Sequence, residues 1–356
     1  MWHWPVLAFA RYSFIDLNVI NGLLLFVLMF TLSVASYFWV ENRFRNGGYN
    51  FGEAFTKLSL VPAFLTACVL IVSLKLSGFL PVRNWTVAAT EIKKIEDIKP
   101  AFKYSDVLQV PRLKRNDFKS GKYLINKDAV QTPKVLLWGD SNAAQYVGLF
   151  KEFAKAGNFS FRNVSSSACP PIIGDIDELL VDKIKKNCLH NRLTIQSQLE
   201  DFDIIIMAGS WQAYRNRGDV ADKLENTISR LTEEGKQIML ILQMQRMEGL
   251  NRSCGARAVI NPIIACEKRF HISAPTIYPV NDDLREIAVR NSAVTIIDPN
   301  IWICPDGECN AYNGNQIMYF DDGHIGYEAG QYMAKRALDA NGFPPQLKLL
   351  DRRTAP

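Results

Sequence analysis

Three side chains in this sequence have the types and order for nucleophilic catalysis. Ser141 lies in the stretch KVLLWGDSNAAQYVGLF, residues 134–150, directly after Gly139 and Asp140. His324, one of four histidines, closes Tyr319-Phe320-Asp321-Asp322-Gly323-His324. A serine hydroxyl is a weak nucleophile at neutral pH, so it needs a base within hydrogen-bond reach and a third group to orient that base. Asp321 is spaced to fold back onto the imidazole, fix its tautomer and stabilise the imidazolium. Ser141, His324 and Asp321 are therefore the candidate nucleophile, base and orienting acid. The plainer alternatives are an Asp140–Ser141 helix cap and an ordinary Asp-Asp-Gly turn.

The elements that must position them can be read from periodicity. Val135–Trp138 is a continuous apolar run, as in a strand buried on both faces, and helical spacing resumes from Ala143 to Phe153. Strand, turn and helix put Ser141 at the carboxyl edge of a sheet, where open α/β folds bind ligands. Further strands are predicted at Phe161–Val164, Asp203–Ala208, Gln237–Leu242 and Val294–Ile297. Helices are predicted at Val181–Leu199, Val220–Glu234, Val280–Asn291 and Tyr327–Ala340. That alternation predicts an α/β fold, a doubly wound parallel sheet in three layers. The irregular stretch Gln243–Pro279 is a candidate substrate-selecting loop. His3 reads as an interfacial histidine, His190 as a surface one and His271 as a packing one.

With 356 residues, 48% of them hydrophobic, the chain has material for one core and for membrane segments besides. Val19–Val40 runs about 22 residues without a charge, enough to span a bilayer. Leu58–Leu80 is a second candidate, with Lys75 placed to snorkel. The loop between them carries Arg43, Arg45 and Lys57, which assigns it to the cytoplasm and everything after Leu80 to the outside. The opening Met1-Trp2-His3-Trp4-Pro5 reads as an interfacial aromatic belt and the start of another membrane segment rather than a signal peptide. The division that follows is transmembrane helices over 1–80, a polar linker or extension over 81–133 and the α/β domain over 134–356. In the extension, Val107–Leu113 and Tyr123–Ile125 are the parts suited to pack on the domain. The net charge of +5 is dispersed, without a nucleic-acid motif.

Cys68 stands alone in the second apolar run. Cys169, Cys188, Cys254, Cys266, Cys304 and Cys309 all lie beyond it. Six cysteines allow fifteen connectivities. Pairing of neighbours in an oxidising compartment is the simplest reading, with a four-cysteine zinc site or buried thiols as the alternative. No metal is expected.

Gly139-Asp140-Ser141 after a strand, with Asp321-x-x-His324 before the last helix, resembles the SGNH (GDSL-like) hydrolase family. The resemblance implies Ser141 as nucleophile, His324 as base and Asp321 as acid. Its usual glycine-x-asparagine, which helps bind the oxyanion, is replaced by Gly209-Ser210-Trp211. The expected oxyanion or substrate groups are then the amides of Ser141 and of Ser166 or Ser167, together with Asn142 and Trp211. At the front, Trp2-His3-Trp4-Pro5 and Ser36-Tyr37-Phe38-Trp39-Val40-Glu41-Asn42-Arg43-Phe44-Arg45 are similar to the closing helices of the acyltransferase-3 membrane family, without the proline usual after that glutamate.

Acyltransferase-3 proteins with a carboxyl-terminal SGNH domain O-acylate bacterial surface glycans. The resemblance therefore implies a protein of the bacterial inner membrane with its SGNH domain in the periplasm. The reaction would be transfer of acetyl or a similar acyl group to a cell-envelope polysaccharide such as lipopolysaccharide. No cofactor is expected in the SGNH domain, and the acyl donor, derived from acetyl-CoA, would arrive through the membrane module. The family's earlier helices and their histidine lie upstream of Met1. A partner chain carrying them is expected if this chain is a whole gene product, and none if it is a fragment. The alternatives are an esterase that removes acyl groups from the same glycans, or a silent glycan-binding domain in which Trp211 stacks on a sugar ring.

Overall fold

In the computed structural model, the described residues are 2–48, 50–75, 90, 92–93, 109–132, 134–261, 264–314 and 316–353. They fall into two compact units, Met1–Glu96 with Ser253–Cys266, and Asp97–Arg252 with Glu267–Pro356. In the first unit, Asn18 caps a helix at Val19–Ser36 by accepting the Asn21 amide at 2.8 Å. That helix runs on through a π-helical turn at Tyr37–Glu41. Together Val19–Glu41 makes 23 residues, with an 18-residue stretch of mean hydropathy 2.2, long and apolar enough to cross a membrane. Within the expected second span, Leu58–Leu80, the structure has a helix at Val61–Lys75 that is apolar over Val61–Val72, shorter than Val19–Glu41. Residues 76–80 of that span, with about half of the expected linker, lie outside the described residues. Ser253–Cys266 belongs to this unit rather than to the loops over the sheet. Its helix Cys254–Ile260 carries Arg257, which donates to the Tyr12 carbonyl at 3.1 Å with its guanidinium 4.5 Å from the Tyr12 ring.

The second unit is built on a six-stranded sheet of β1 (Leu124–Ile125), β2 (Val135–Gly139), β3 (Phe161–Ser165), β4 (Ile204–Ala208), β5 (Gln237–Ile241) and β7 (Val294–Ile297). Between the last two, β6 (His271–Ile272) pairs instead with β8 (Cys309–Asn310). The order β1-β3-β2-β4-β5-β7 is parallel except for β1, an antiparallel edge strand. β1 comes from the polar stretch read from sequence as an extension. Val110, Leu113 and Tyr123 from the same stretch join the core. Asn191 fastens it, accepting the Leu113 amide at 2.8 Å and donating to the Val110 carbonyl at 3.1 Å. His190, expected at the surface, is half-buried and bonds the Leu113 carbonyl at 2.9 Å.

Strand periodicity sorts the core into two layers. Leu136, Trp138, Ile205, Met207, Ile238 and Leu240 pack in one cluster with apolar residues of the helices Asp182–Gln196, Val220–Glu233 and Pro279–Arg290. Leu137, Ile206 and Met239 alternate with them and are equally buried. The helices Val147–Gly157 and Tyr327–Asn341 pack on one another. Gly148 lets their backbones meet, because a Cβ there would overlap the Tyr327 carbonyl. The six cysteines outside the apolar segments pair as neighbours, Cys169–Cys188, Cys254–Cys266 and Cys304–Cys309. That removes the zinc and free-thiol alternatives.

Candidate active site

The carboxyl ends of β3, β2 and β4 lie level, with Gly139 opposite Ser165 on one side and Ala208 on the other. A side chain at Gly139 would overlap the Ala208 carbonyl oxygen, so glycine is what lets the chain turn there. Asp140 follows in extended conformation and caps the short helix Ser141–Ala144, accepting the Asn142 amide through Oδ1 at 2.7 Å. The expected helix from Ala143 to Phe153 is thus two helices, with a break at Gln145–Tyr146. Asp140 does more than cap. Its Oδ2 accepts the Ser210 amide at 2.9 Å and the Tyr214 hydroxyl at 2.6 Å, which ties the serine's turn to the loop after β4. Burial pushes the Asp140 carboxyl up, against the lowering effect of those three bonds and of nearby His324.

The other two groups come from one hairpin, β11 (Tyr319–Asp321) against β12 (His324–Ile325), with Asp321 opposite His324. It follows the hairpin β9 (Tyr312–Asn313) with β10 (Gln316–Ile317). His324 Nε2 lies 2.9 Å from Ser141 Oγ, and His324 Nδ1 lies 2.8 and 3.0 Å from the two oxygens of Asp321. The Gly323 amide donates to Asp321 Oδ1 at 2.8 Å. Burial opposes ionisation of Asp321, but the hydrogen bond and charge of His324, with the Gly323 and His324 amides, outweigh it and hold the carboxyl below its usual range. A hydroxyl, an imidazole and a carboxylate are therefore hydrogen-bonded in series, 183 residues apart in sequence at the serine–histidine step.

The expected oxyanion groups fare differently. The Ser166 amide donates to the Gly139 carbonyl at 2.9 Å, and its hydroxyl accepts from Asn191 Nδ2 at 2.8 Å, so Ser166 is a structural link. Trp211 is fully buried, with its indole N–H donated to the Ile241 carbonyl at 2.8 Å. No ring face is left for a sugar, which corrects the stacking expectation. Asn142 is buried, and its Oδ1 accepts from Gln145 Nε2 at 3.1 Å. Gln145 Oε1 in turn accepts the Ile325 amide at 2.9 Å. Asn142 Oδ1 thus belongs to a chain of bonds joining the serine's helix to the histidine's strand. Ser167 is exposed beyond the end of β3. Ser141, at the first turn of its helix, has an amide without an intrahelical acceptor.

Sequence reasoning passed over several groups that build this site. Gln145 and Tyr214 carry no motif, and neither does the start of the stretch from Gln243, which reads only as a substrate-selecting loop. Their signal was only that polar residues sit where a buried segment continues. Gln243 and Gln245 are buried; Gln243 accepts the Gln212 amide at 3.2 Å, and Tyr319 donates to the Gln245 carbonyl at 3.0 Å. His271, by contrast, lies on β6 and bonds Asn310 at 2.9 Å, away from this chain of groups. Among the described residues, no cluster of His, Cys, Asp and Glu could hold a metal ion.

A parallel sheet with a serine at the end of its second strand and Asp-x-x-His before its last helix defines an SGNH-like α/β domain. Residues 110–339 match the family model described as the SGNH domain fused to AT3 domains, and the chain belongs to that family. No curated protein matches it in sequence. Among solved structures, it is similar to the periplasmic domain of the Salmonella ser. Paratyphi A lipopolysaccharide acetyltransferase, at 14% identity and TM-score 0.46, over 70% of this chain and 98% of that one. It is also similar to the acetyl xylan esterase AlAXEase, at 16% identity and TM-score 0.30, over 58% of this chain and 98% of that one.

Proposed function

We propose that this protein transfers an acyl group, acetyl foremost, to a hydroxyl of a bacterial cell-envelope polysaccharide, with Ser141 as nucleophile. The observation that carries the reading is the unbroken series Ser141 Oγ, His324 Nε2, His324 Nδ1 and Asp321, at 2.9 and 2.8 Å, in a domain of a family fused to AT3 domains. His324 Nε2 takes the Ser141 proton as Oγ attacks the acyl carbonyl of the donor, and it returns that proton to the leaving group as the donor bond breaks. The acyl group is now an ester of Ser141. A sugar hydroxyl attacks this ester, gives its proton to His324 Nε2, and leaves with the acyl group while Ser141 recovers a proton. Asp321 keeps Nδ1 protonated, so that Nε2 is the basic nitrogen facing Ser141.

The oxyanion donors are the amides of Ser141 and Ser167, because the Ser166, Ser210 and Asn142 amides already serve Gly139 and Asp140. The donor, derived from acetyl-CoA, arrives through the acyltransferase-3 helices, of which residues 1–80 supply the last. A chain carrying the remaining helices is the expected partner where they are not part of this polypeptide. The apolar helix Val19–Glu41 and the three disulfides favour anchoring in the inner membrane with the SGNH domain in the periplasm. Incubation with para-nitrophenyl acetate, with and without envelope glycans, beside Ser141→Ala, tests the reading. Ser141-dependent acetyl-glycan supports it; Ser141-dependent hydrolysis unaffected by any glycan makes the protein an esterase.

A further inference from the structure

We propose that Arg246 and Arg252 are positioning residues, an arginine clasp that holds the hairpin carrying Asp321 and His324 where the imidazole reaches Ser141. The inference rests on the triad reading above. β11 and β12 are only three and two residues long, with an irregular register between Tyr319 and Asp321. Two such strands are not stable alone, yet the placement of His324 depends on them. One side of the hairpin is held by Gln145, through the Ile325 amide. The other side is held by the chain that leaves β5.

Beyond the Tyr319 hydroxyl on the Gln245 carbonyl, that second side grips the residues around Asp321. The Met247 amide donates to the Asp322 carbonyl at 2.8 Å, and Arg246 NH2 lies 2.9 Å from Asp322 Oδ2. The same guanidinium covers Gly323, where an added Cβ would stand 3.5 Å from Arg246 Cζ. The Arg252 guanidinium sits 4.0 Å above the Phe320 ring. Residues 320, 322 and 323 are thus gripped from outside, while Asp321 and His324 face the serine. Arginine suits both contacts, since its planar group pairs with a carboxylate and also stacks on a ring. The Arg246 backbone is fixed in turn, with its amide 3.2 Å from the Tyr278 hydroxyl.

The Arg246 and Asp322 side chains are 38% and 50% exposed, so their pair contributes little to folding. Geometry at the reacting atoms is far more sensitive: a displacement near 1 Å costs about a hundredfold in rate. The clasp therefore acts on turnover, not on stability. The full chain in detergent, with para-nitrophenyl acetate as probe, tests this through Arg246→Met, Arg252→Met, Arg252→Lys and the exchanged pair Arg246→Asp with Asp322→Arg. The two methionine variants are expected to lose about tenfold or more in kcat, with KM and melting temperature close to the parent. Arg252→Lys, which keeps a cation over Phe320, and the exchanged pair are expected to recover most of the loss.

Hydrogen exchange of the peptide spanning Tyr319–Ile325 is expected to speed up in both methionine variants and to return in the two recovering ones. Unchanged kcat with unchanged exchange overturns the clasp. A rise in KM at constant kcat also overturns it, by making Arg246 a substrate contact. Exchange does not depend on activity, so absence of Ser141-dependent turnover in the parent sinks the functional reading and still leaves the clasp decided by the exchange of this peptide.

Discussion

Replacing Asp321 with asparagine removes a charge and almost no volume, and the geometry says where the cost falls. Oδ1 of Asp321 accepts from both the Gly323 amide and His324 Nδ1, each at 2.8 Å, while Oδ2 lies 3.0 Å from the same nitrogen. In Asp321→Asn the carboxamide oxygen keeps the Gly323 bond, which leaves the NH2 group facing Nδ1. An NH2 there donates to Nδ1 and moves the imidazole proton to Nε2, the nitrogen 2.9 Å from Ser141. Nε2 can then no longer accept the serine's proton, and the imidazolium loses its counter-charge. The corresponding change in a serine protease triad costs about 10⁴-fold in kcat. Asp321 is more open than a fully buried acid, with its side chain 38% exposed, so a loss of about 10³-fold is expected, near 4 kcal/mol in the barrier. Steady-state hydrolysis of para-nitrophenyl acetate by the full chain reads it, with KM expected to hold and the melting temperature to fall only slightly. A loss below about tenfold, with turnover still dependent on Ser141, would refute the orienting role given to Asp321.

Other perturbations have equally direct readouts. Asp321 is held below its usual range when folded, so the stability it contributes is present above the unfolded value of about 3.9 and is lost as pH falls through the folded one. In urea unfolding, the stability gap between the parent and Asp321→Asn should stay constant near neutrality and narrow below about pH 4; a gap that widens on acidification contradicts this. Gln145→Leu strands the buried Ile325 amide and should destabilise by about 1–3 kcal/mol in chemical denaturation, with a larger fractional drop in turnover. Trp211→Ala should cost about 3–5 kcal/mol by the same measurement, as a core aromatic does. A Trp211→Ala protein of parental stability that fails only in glycan binding would restore the sugar-stacking role.

Much of this architecture was legible because it depends on period and order. Val135–Trp138 and Ile204–Ala208 are apolar on both faces, so they read as central parallel strands, and amphipathic Val220–Glu233 reads as a helix between strands. The meeting of Ser141, His324 and Asp321 was legible because the serine follows a strand end and the two partners share a short loop. β1 was not, since two residues paired at an edge leave no periodic trace. The break after Ala144 was also hidden, as the apolar spacing continues across Gln145–Tyr146. The oxyanion region misled in a particular way. Which amides remain for a ligand depends on which are already spent on Gly139 and Asp140, and only three-dimensional contacts settle that. Trp211 stands where the family has a polar donor, but its side chain turns into the core to meet Ile241.

The central claim is that an acyl group passes through Ser141. Its most direct test is rapid quenching of the full chain with para-nitrophenyl acetate, followed by mass spectrometry of the peptide that contains residues 135–150. One acetyl group is expected on Ser141, absent in Ser141→Ala and discharged on adding the glycan acceptor. A protein that turns the ester over with no acetyl on that peptide, or that works equally well as Ser141→Ala, contradicts it.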